Sequence, residues 1–128
     1  MSIRIVQLGS ERVNGEGLRI GATRRPPRGV PKERFASDDW YDVWLPQLSP
    51  SAGLVKQAQA AETEKEWNAF VKQYRKEMSE PDNARLIGLL GALSGQTNFS
   101  VGCYCEEESR CHRSVLRELL DEAGASFT

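Results

Sequence analysis

Three cysteines and the only histidine of the chain lie within ten residues near the C-terminus, beside Arg110 and Arg113. A cysteine at the start of a helix, next to arginine and histidine, has a lowered thiol pKa, and the thiolate is the nucleophilic form. Cys111 and Cys105 are therefore candidate nucleophiles. His112 is the one side chain suited, unmodified, to proton transfer near neutral pH.

A second basic block lies more than eighty residues earlier, in a segment with three prolines and one glycine that spans residues 24–31. Proline restricts its own backbone and that of the preceding residue, so this segment is predicted to be a stiff, extended loop. Guanidinium groups bind phosphate and carboxylate through paired hydrogen bonds. The predicted anion-binding residues are Arg24, Arg25, Arg28, Arg110 and Arg113, with a small anionic molecule as the expected partner.

Two observations limit a catalytic interpretation. The tyrosine-phosphatase signature places an arginine six positions after the cysteine, and no cysteine of this chain fits, so any likeness to such enzymes is one of architecture. Cys103 alternates with Val101 in a strand pattern, and a small buried apolar side chain is the commoner role for such a cysteine. The glutamates at 106–108 must point away from the predicted anion site, since they would oppose it.

Zinc is the alternative use of the same segment, because Cys103, Cys105, Cys111 and His112 are four possible ligands. Structural zinc sites usually draw paired ligands from separated segments. On a helix, adjacent side chains such as Cys111 and His112 diverge by about 100°. The sequence is therefore interpreted as having no metal site and no cofactor.

Length and composition favour one ordinary globular domain over residues 1–128. The chain has 39% hydrophobic and 27% charged residues and a net charge of −1, which argues against a dedicated nucleic-acid module. No apolar run approaches the roughly 20 residues of a membrane span, and no signal peptide is evident at the N-terminus. Clustered, odd-numbered cysteines fit reduced thiols, so the cytoplasm is the expected compartment. No pattern specifies an oligomeric state.

The periodicity of apolar residues predicts the elements that position these groups. Strands are expected over residues 3–8, 18–23 and 98–103. Helices are expected over residues 38–45, 51–58, 63–78, 81–93 and 109–123. The third of these has the Thr63 and Glu66 spacing of a capping box. This order predicts a layered α/β single domain with a small, mostly parallel sheet flanked by helices.

Several blocks resemble the DUF488 (YeaO-like) family over nearly the whole chain. They are Pro27-Arg28-Gly29, a tryptophan-containing segment, the turn at 48–51, the helix at 66–78, and Cys111-His112-Arg113. The commoner family pattern has Arg-Leu-Trp before Pro-Arg-Gly, whereas Arg24-Arg25-Pro26 stands here, which makes the loop more basic and stiffer. The resemblance implies a small, cytosolic α/β protein of bacterial or archaeal type and leaves the activity open.

Two functions remain open at this point. One is an anion site at the last strand-to-helix junction, for a phosphate-bearing or nucleotide-type small molecule, with assistance from a thiol in catalysis. The other is a noncatalytic ligand-binding or protein-interaction domain that uses the same cleft. Both require the two basic blocks to share one pocket.

Overall fold

The computed structural model describes all 128 residues and contains one parallel sheet of four strands. The strands are β1 (Ile3–Gln7), β2 (Leu18–Gly21), β3 (Val43–Trp44) and β4 (Phe99–Cys103), in the spatial order β1-β4-β2-β3. Every pairing is parallel. Because parallel strands run in one direction, their carboxyl ends lie at one edge of the sheet, where open α/β sheets bind ligands.

Four helices follow the predicted pattern. They are α1 (Ala52–Ala60), α2 (Glu64–Met78), α3 (Pro81–Leu93) and α4 (His112–Glu122), with short 3₁₀ turns at Lys32–Arg34, Pro46–Leu48 and Glu108–Arg110. Thr63 and Glu66 form both hydrogen bonds of the predicted capping box at the start of α2. None of the helices has the length and apolar character required to cross a bilayer. The small α/β single domain is thus confirmed, with an all-parallel sheet.

The core lies between the sheet and the helices. Apolar side chains that project from β2 and β4, such as Ile20 and Val101, pack with Phe70 of α2, Leu90 of α3 and Leu116 of α4, and all five are buried. α1 has no buried residue. This outer helix therefore contributes less to the core than α2, α3 or α4 does.

The predicted helix over residues 38–45 is wrong. Asp39 takes a left-handed conformation with φ of 64°, which interrupts any helix there. Beyond it, Val43 pairs with Ile20 in parallel register and forms the edge strand β3. A β-branched residue beside an aromatic one suits a strand, and pairing with β2 satisfies backbone groups that an isolated short helix would leave free.

One ion pair is buried at the start of β2. The Glu16 carboxylate accepts hydrogen bonds from Arg19 at 2.8 and 3.0 Å and from Ser100 Oγ at 2.6 Å. Arg19 also donates to the carbonyls of Ser10 and Asp39. Every charge of this pair has a partner, and the pair joins the loop before β2 to the neighbouring strand β4.

Candidate anion site at the carboxyl edge of the sheet

A cavity of 540 Å³ lies at the carboxyl ends of β2 and β4. Three segments form most of it: the loop after β2, the end of β4 with the loop that follows and the first residue of α4, and the first turns of α1 with the residues before them. Phe70 of α2 completes the lining. β2 and β4 are neighbours, so the two basic blocks leave adjacent strands on the same side. The structure thus brings both sequence-predicted segments to one pocket.

Arg24, Arg25 and Arg28 of the loop after β2 all line this cavity but differ in exposure and hydrogen bonding. Arg24 is half-buried, and its guanidinium donates to the backbone carbonyls of Pro46, Ser49 and Pro50 at 2.9 to 3.1 Å. Arg25 and Arg28 are exposed. Arg24 therefore ties the loop to the segment before α1, whereas the other two guanidinium groups are free to meet a ligand.

The cavity contains no acidic residue. Six of the twelve arginines of the chain form ion pairs, namely Arg12, Arg19, Arg34, Arg75, Arg85 and Arg117. Of the other six, four line the cavity and Arg113 lies directly behind it, while Arg4 is elsewhere. Lys56 of α1 also lines the cavity. The positive charge at this edge is thus not neutralised by carboxylates of the protein.

Arg110 and Arg113 occupy different positions, although both were predicted to bind an anion. Arg110 is exposed, lines the cavity and has its guanidinium 5.8 Å from the centre of the Trp67 ring. Arg113 is buried beneath the loop and donates to the Cys105 carbonyl at 2.5 Å. Its Nε has no hydrogen-bond partner. Arg113 thus positions the loop and is not part of the cavity wall.

The three thiols line the cavity at different depths. Cys103 and Cys111 are 1% and 2% exposed, whereas Cys105 is exposed. The nearby Cys103 and Cys111 thiols lower the pKa of Cys105, and the positive charge of Arg113 and the His112 ring add to this effect, which outweighs burial. Its thiol neighbours and its burial raise the pKa of Cys103. Cys105 is therefore the accessible thiol and the first to ionise.

Opposing effects act on the pKa of Cys111. The Cys103 thiol lowers the pKa of Cys111, but the Cys105 thiol and burial outweigh this effect and raise the pKa. Its backbone is extended, with φ of −123° and ψ of 152°, because it is the residue that precedes α4. Of the two predicted nucleophiles, Cys111 is thus the buried one.

His112 begins α4 and is held on both sides. Its Nε2 lies 2.7 Å from the Ala22 carbonyl, and its ring meets Tyr74 edge to face. Burial lowers the pKa of His112, so the imidazole is neutral near pH 7. Since a carbonyl only accepts hydrogen bonds, Nε2 carries the proton. Nδ1 is then an acceptor, 3.7 Å from the Cys111 sulfur.

The glutamates that follow Cys105 do not reach the cavity. Glu106 and Glu107 are exposed, and Glu108 forms an ion pair with Arg117 at 2.6 Å. The outward orientation that the anion site requires is thus present. Arg117 compensates the one glutamate that is partly buried.

Tyr104 and Lys56 also line the cavity and were not predicted from the sequence. The Tyr104 hydroxyl donates to the Arg25 carbonyl at 2.8 Å and so fixes the basic loop against the β4 loop. Lys56 lies on α1 between Val55 and Ala58, which also line the cavity, and Ala58 packs against the core as well. α1 has only two large apolar residues, Leu54 and Val55, and this was the available signal that the helix is not fully packed into the core.

Fold and site together define a small parallel α/β domain with a basic, thiol-containing cleft at the carboxyl edge of its sheet. The family model described as "Active DUF488-N3 subclade" matches residues 3–124, and the chain belongs to this DUF488 family. No curated protein and no solved structure matches the chain.

Proposed function

We propose that the cleft binds a small phosphate-bearing anion, of inorganic phosphate to nucleotide size, and that Cys105 acts on the bound molecule as a nucleophile. The observation that carries the proposal is the absence of any acid in a cavity that four arginines and one lysine line. Elsewhere in this protein arginines are mostly paired with carboxylates, so a set that lines one cavity without any carboxylate favours an anionic ligand.

Size and chemistry support the ligand class. A volume of 540 Å³ falls within the range of small-molecule sites, about 300 to 1,000 Å³. Arg25 and Arg28 offer exposed guanidinium forks, which suit phosphate oxygens. The amino end of α4 faces the same space, so its backbone dipole favours an anion as well.

Position favours Cys105 over the other thiols as the reacting group. It is the only exposed cysteine, and it lies in the same cavity as Arg25 and Arg28. Cys103 and Cys111 are buried, so a bound molecule does not reach them without rearrangement. In an enzyme of this kind the arginines orient a phosphate ester and the Cys105 thiolate attacks the phosphorus, so that an S–P bond forms as the P–O bond to the leaving alcohol breaks. The departing oxygen takes a proton from solvent, and water then hydrolyses the S–P bond.

Protection from alkylation tests the shared pocket. Iodoacetamide is expected to modify Cys105 first, and inorganic phosphate should slow this modification in a saturable manner. Replacing Arg25 and Arg28 together by alanine should abolish the protection, and the Cys105→Ser variant identifies the modified residue. Arg85→Ala is the matched control, because it removes an arginine whose side chain is 81% exposed and which lies on α3, outside the cavity.

The noncatalytic alternative predicts the same phosphate protection of a thiol with ordinary reactivity. The alkylation rate measured against pH distinguishes the two. A nucleophilic Cys105 should reach half its maximal rate clearly below about pH 8.5, the ordinary pKa of a free cysteine. A rate that follows the ordinary value, with phosphate protection intact, supports a binding domain. If phosphate does not protect Cys105 in the wild-type protein, the anion site itself is contradicted.

A further inference from the structure

We propose that Cys103, Cys111 and His112 bind a zinc ion whose fourth coordination position opens onto the arginine-lined cavity. The proposal concerns the floor of the cavity and does not rest on the binding of phosphate at its rim. The inference begins from the arrangement of three ligand atoms: the two sulfurs and a ring nitrogen all lie within 4.8 Å of one another.

These separations are close to those of a tetrahedral site. With Zn–S bonds of about 2.3 Å and Zn–N bonds of about 2.0 Å, two sulfurs lie about 3.8 Å apart and a sulfur and a nitrogen about 3.5 Å apart. The Cys111 sulfur and His112 Nδ1 are 3.7 Å apart. Movements of less than about 1 Å therefore bring all three atoms to coordination distance.

The histidine is already in the tautomer that a metal requires. Its Nε2–H donates to the Ala22 carbonyl, so the lone pair of Nδ1 is directed toward the Cys111 sulfur. A ligating histidine almost always donates its other ring N–H to a carboxylate, a backbone carbonyl or water, which fixes the ring. The Tyr74 and His112 rings pack edge to face, which restricts rotation of the imidazole further.

The sequence argued against a metal site because adjacent side chains on a helix diverge. That argument does not apply here. Cys111 precedes α4 with an extended backbone, while His112 is the first helical residue. Their side chains therefore converge. Cys103 comes from the end of β4, so the ligands derive from two elements, a strand end and a helix start, as metal sites commonly do.

The ligand types favour zinc over hard cations. Two thiolates and one imidazole suit zinc and other soft metals, whereas magnesium and calcium prefer oxygen ligands. Each cysteine loses its proton on binding, so Zn²⁺ with two thiols gives a neutral zinc dithiolate and about two released protons. A neutral centre leaves the positive charge of the surrounding arginines unchanged.

Three protein ligands leave one coordination position free, as in catalytic zinc sites. Cys105 is exposed, and its sulfur is near the other two thiols but does not lie within 4.8 Å of all three ligand atoms. All three ligand residues line the cavity, together with Arg25 and Arg28. The open position therefore faces the place where an anion would be held.

Metal analysis and cobalt substitution test the site in the full-length protein. Protein purified without chelator should contain near-stoichiometric zinc. Replacement by Co²⁺ should give a thiolate-to-cobalt charge-transfer band and the intense visible bands of four-coordinate cobalt. Added azide should shift the visible bands by occupying the open position. Wild-type protein that neither retains zinc nor shows these bands would overturn the proposal without recourse to any variant.

Matched variants assign the ligands. Cys111→Ser and His112→Gln should each weaken zinc binding at least tenfold in a chelator competition, with the charge-transfer band reduced for Cys111→Ser. Cys105→Ser should leave the cobalt spectrum unchanged. A changed spectrum in Cys105→Ser, with no response to azide, would indicate a closed four-ligand site and contradict the open position. Circular dichroism verifies that each variant folds.

The two proposals fail in different ways. The double replacement of Arg25 and Arg28 by alanine should retain zinc affinity and the cobalt bands while it loses phosphate protection. If that variant loses zinc as well, the arginines and the metal ligands form one structural unit, and the independence of the zinc site is refuted.

Discussion

The two ends of β2 present arginines in opposite circumstances. At the amino end, Arg19 is fully buried, and the Glu16 carboxylate and two backbone carbonyls satisfy its guanidinium. Past the carboxyl end, Arg25 and Arg28 are exposed beside a cavity without any acid. An arginine side chain thus joins two strands at Arg19, whereas the same type of side chain is exposed and unpaired at Arg25 and Arg28, later in the chain.

The difference lies in the partners and not in the arginines. A buried charge is tolerated only when it is paired and fully hydrogen-bonded, so the region around Arg19 is expected to be intolerant of change. Exposed, unpaired arginines contribute little to stability. Substitutions at the two ends of β2 should therefore separate a loss of folding stability from a loss of ligand binding.

Glu16→Gln should have the largest effect on stability. It leaves the charge of Arg19 buried without its counter-charge, which costs about 3 to 5 kcal/mol. Chemical denaturation at neutral pH measures the free energy of unfolding. A loss below about 1 kcal/mol would mean that the pair is no more than a surface ion pair in its energetics.

The pH dependence of stability should depend on the same carboxyl group. Burial alone would raise the pKa of Glu16, but hydrogen bonds from Arg19, Ser100 and the Val13 amide outweigh it and lower the pKa from 4.5 to about 2. A lowered folded-state pKa stabilises the protein above pH 4.5, and this contribution of about 3 kcal/mol is lost as the pH falls toward 2.

Denaturation curves at pH 6, 4 and 3 measure this loss. The wild-type protein should become steadily less stable over the interval, and Glu16→Gln should show a flatter profile since its amide does not titrate. Equal slopes for the two proteins would indicate that other carboxyl groups control the acid transition.

Arg24→Ala should have an intermediate effect that combines both kinds of loss. Its guanidinium satisfies the carbonyls of Pro46, Ser49 and Pro50, and removing hydrogen bonds made by a charged group costs about 1.5 to 3 kcal/mol. We expect lower stability together with weaker phosphate protection of Cys105. If Arg24→Ala weakens the phosphate protection of Cys105 but leaves stability unchanged, Arg24 acts in the same way as Arg25 and Arg28.

Arg25→Ala and Arg28→Ala should have the smallest effect on folding. Each should change the free energy of unfolding by less than about 0.5 kcal/mol. Each should weaken phosphate binding about tenfold, the equivalent of one charge-assisted hydrogen bond at an exposed site. Titration of phosphate against the alkylation rate measures the effect, with Arg85→Ala as the control that should match wild-type protein.

Much of the fold followed from short-range patterns. The α2 capping box and its apolar spacing predicted that helix, and alternation from Phe99 to Cys103 predicted β4. β3 was missed because its two residues form a strand only by pairing with β2. Aspartate adopts the left-handed conformation more often than most residues, but local propensity does not specify that Asp39, and not Asp38, takes it.

The site was predictable as two segments but not in its details. A basic loop after one strand and a helix start after another both belong at the carboxyl edge of a parallel sheet. The burial of Arg113, the contribution of Lys56 and the convergence of Cys111 with His112 depend on tertiary packing and on one extended residue before α4. Spacing alone does not encode these features.

The central claim is that the loop after β2 and the start of α4 bind one anion together. A titration of ¹⁵N-labelled protein with inorganic phosphate, followed by amide chemical shifts, tests it most directly. Saturable shifts in both 23–28 and 105–112, lost when Arg25 and Arg28 are replaced by alanine, are the predicted result. Shifts confined to one segment, or no saturation in either, would contradict the shared site.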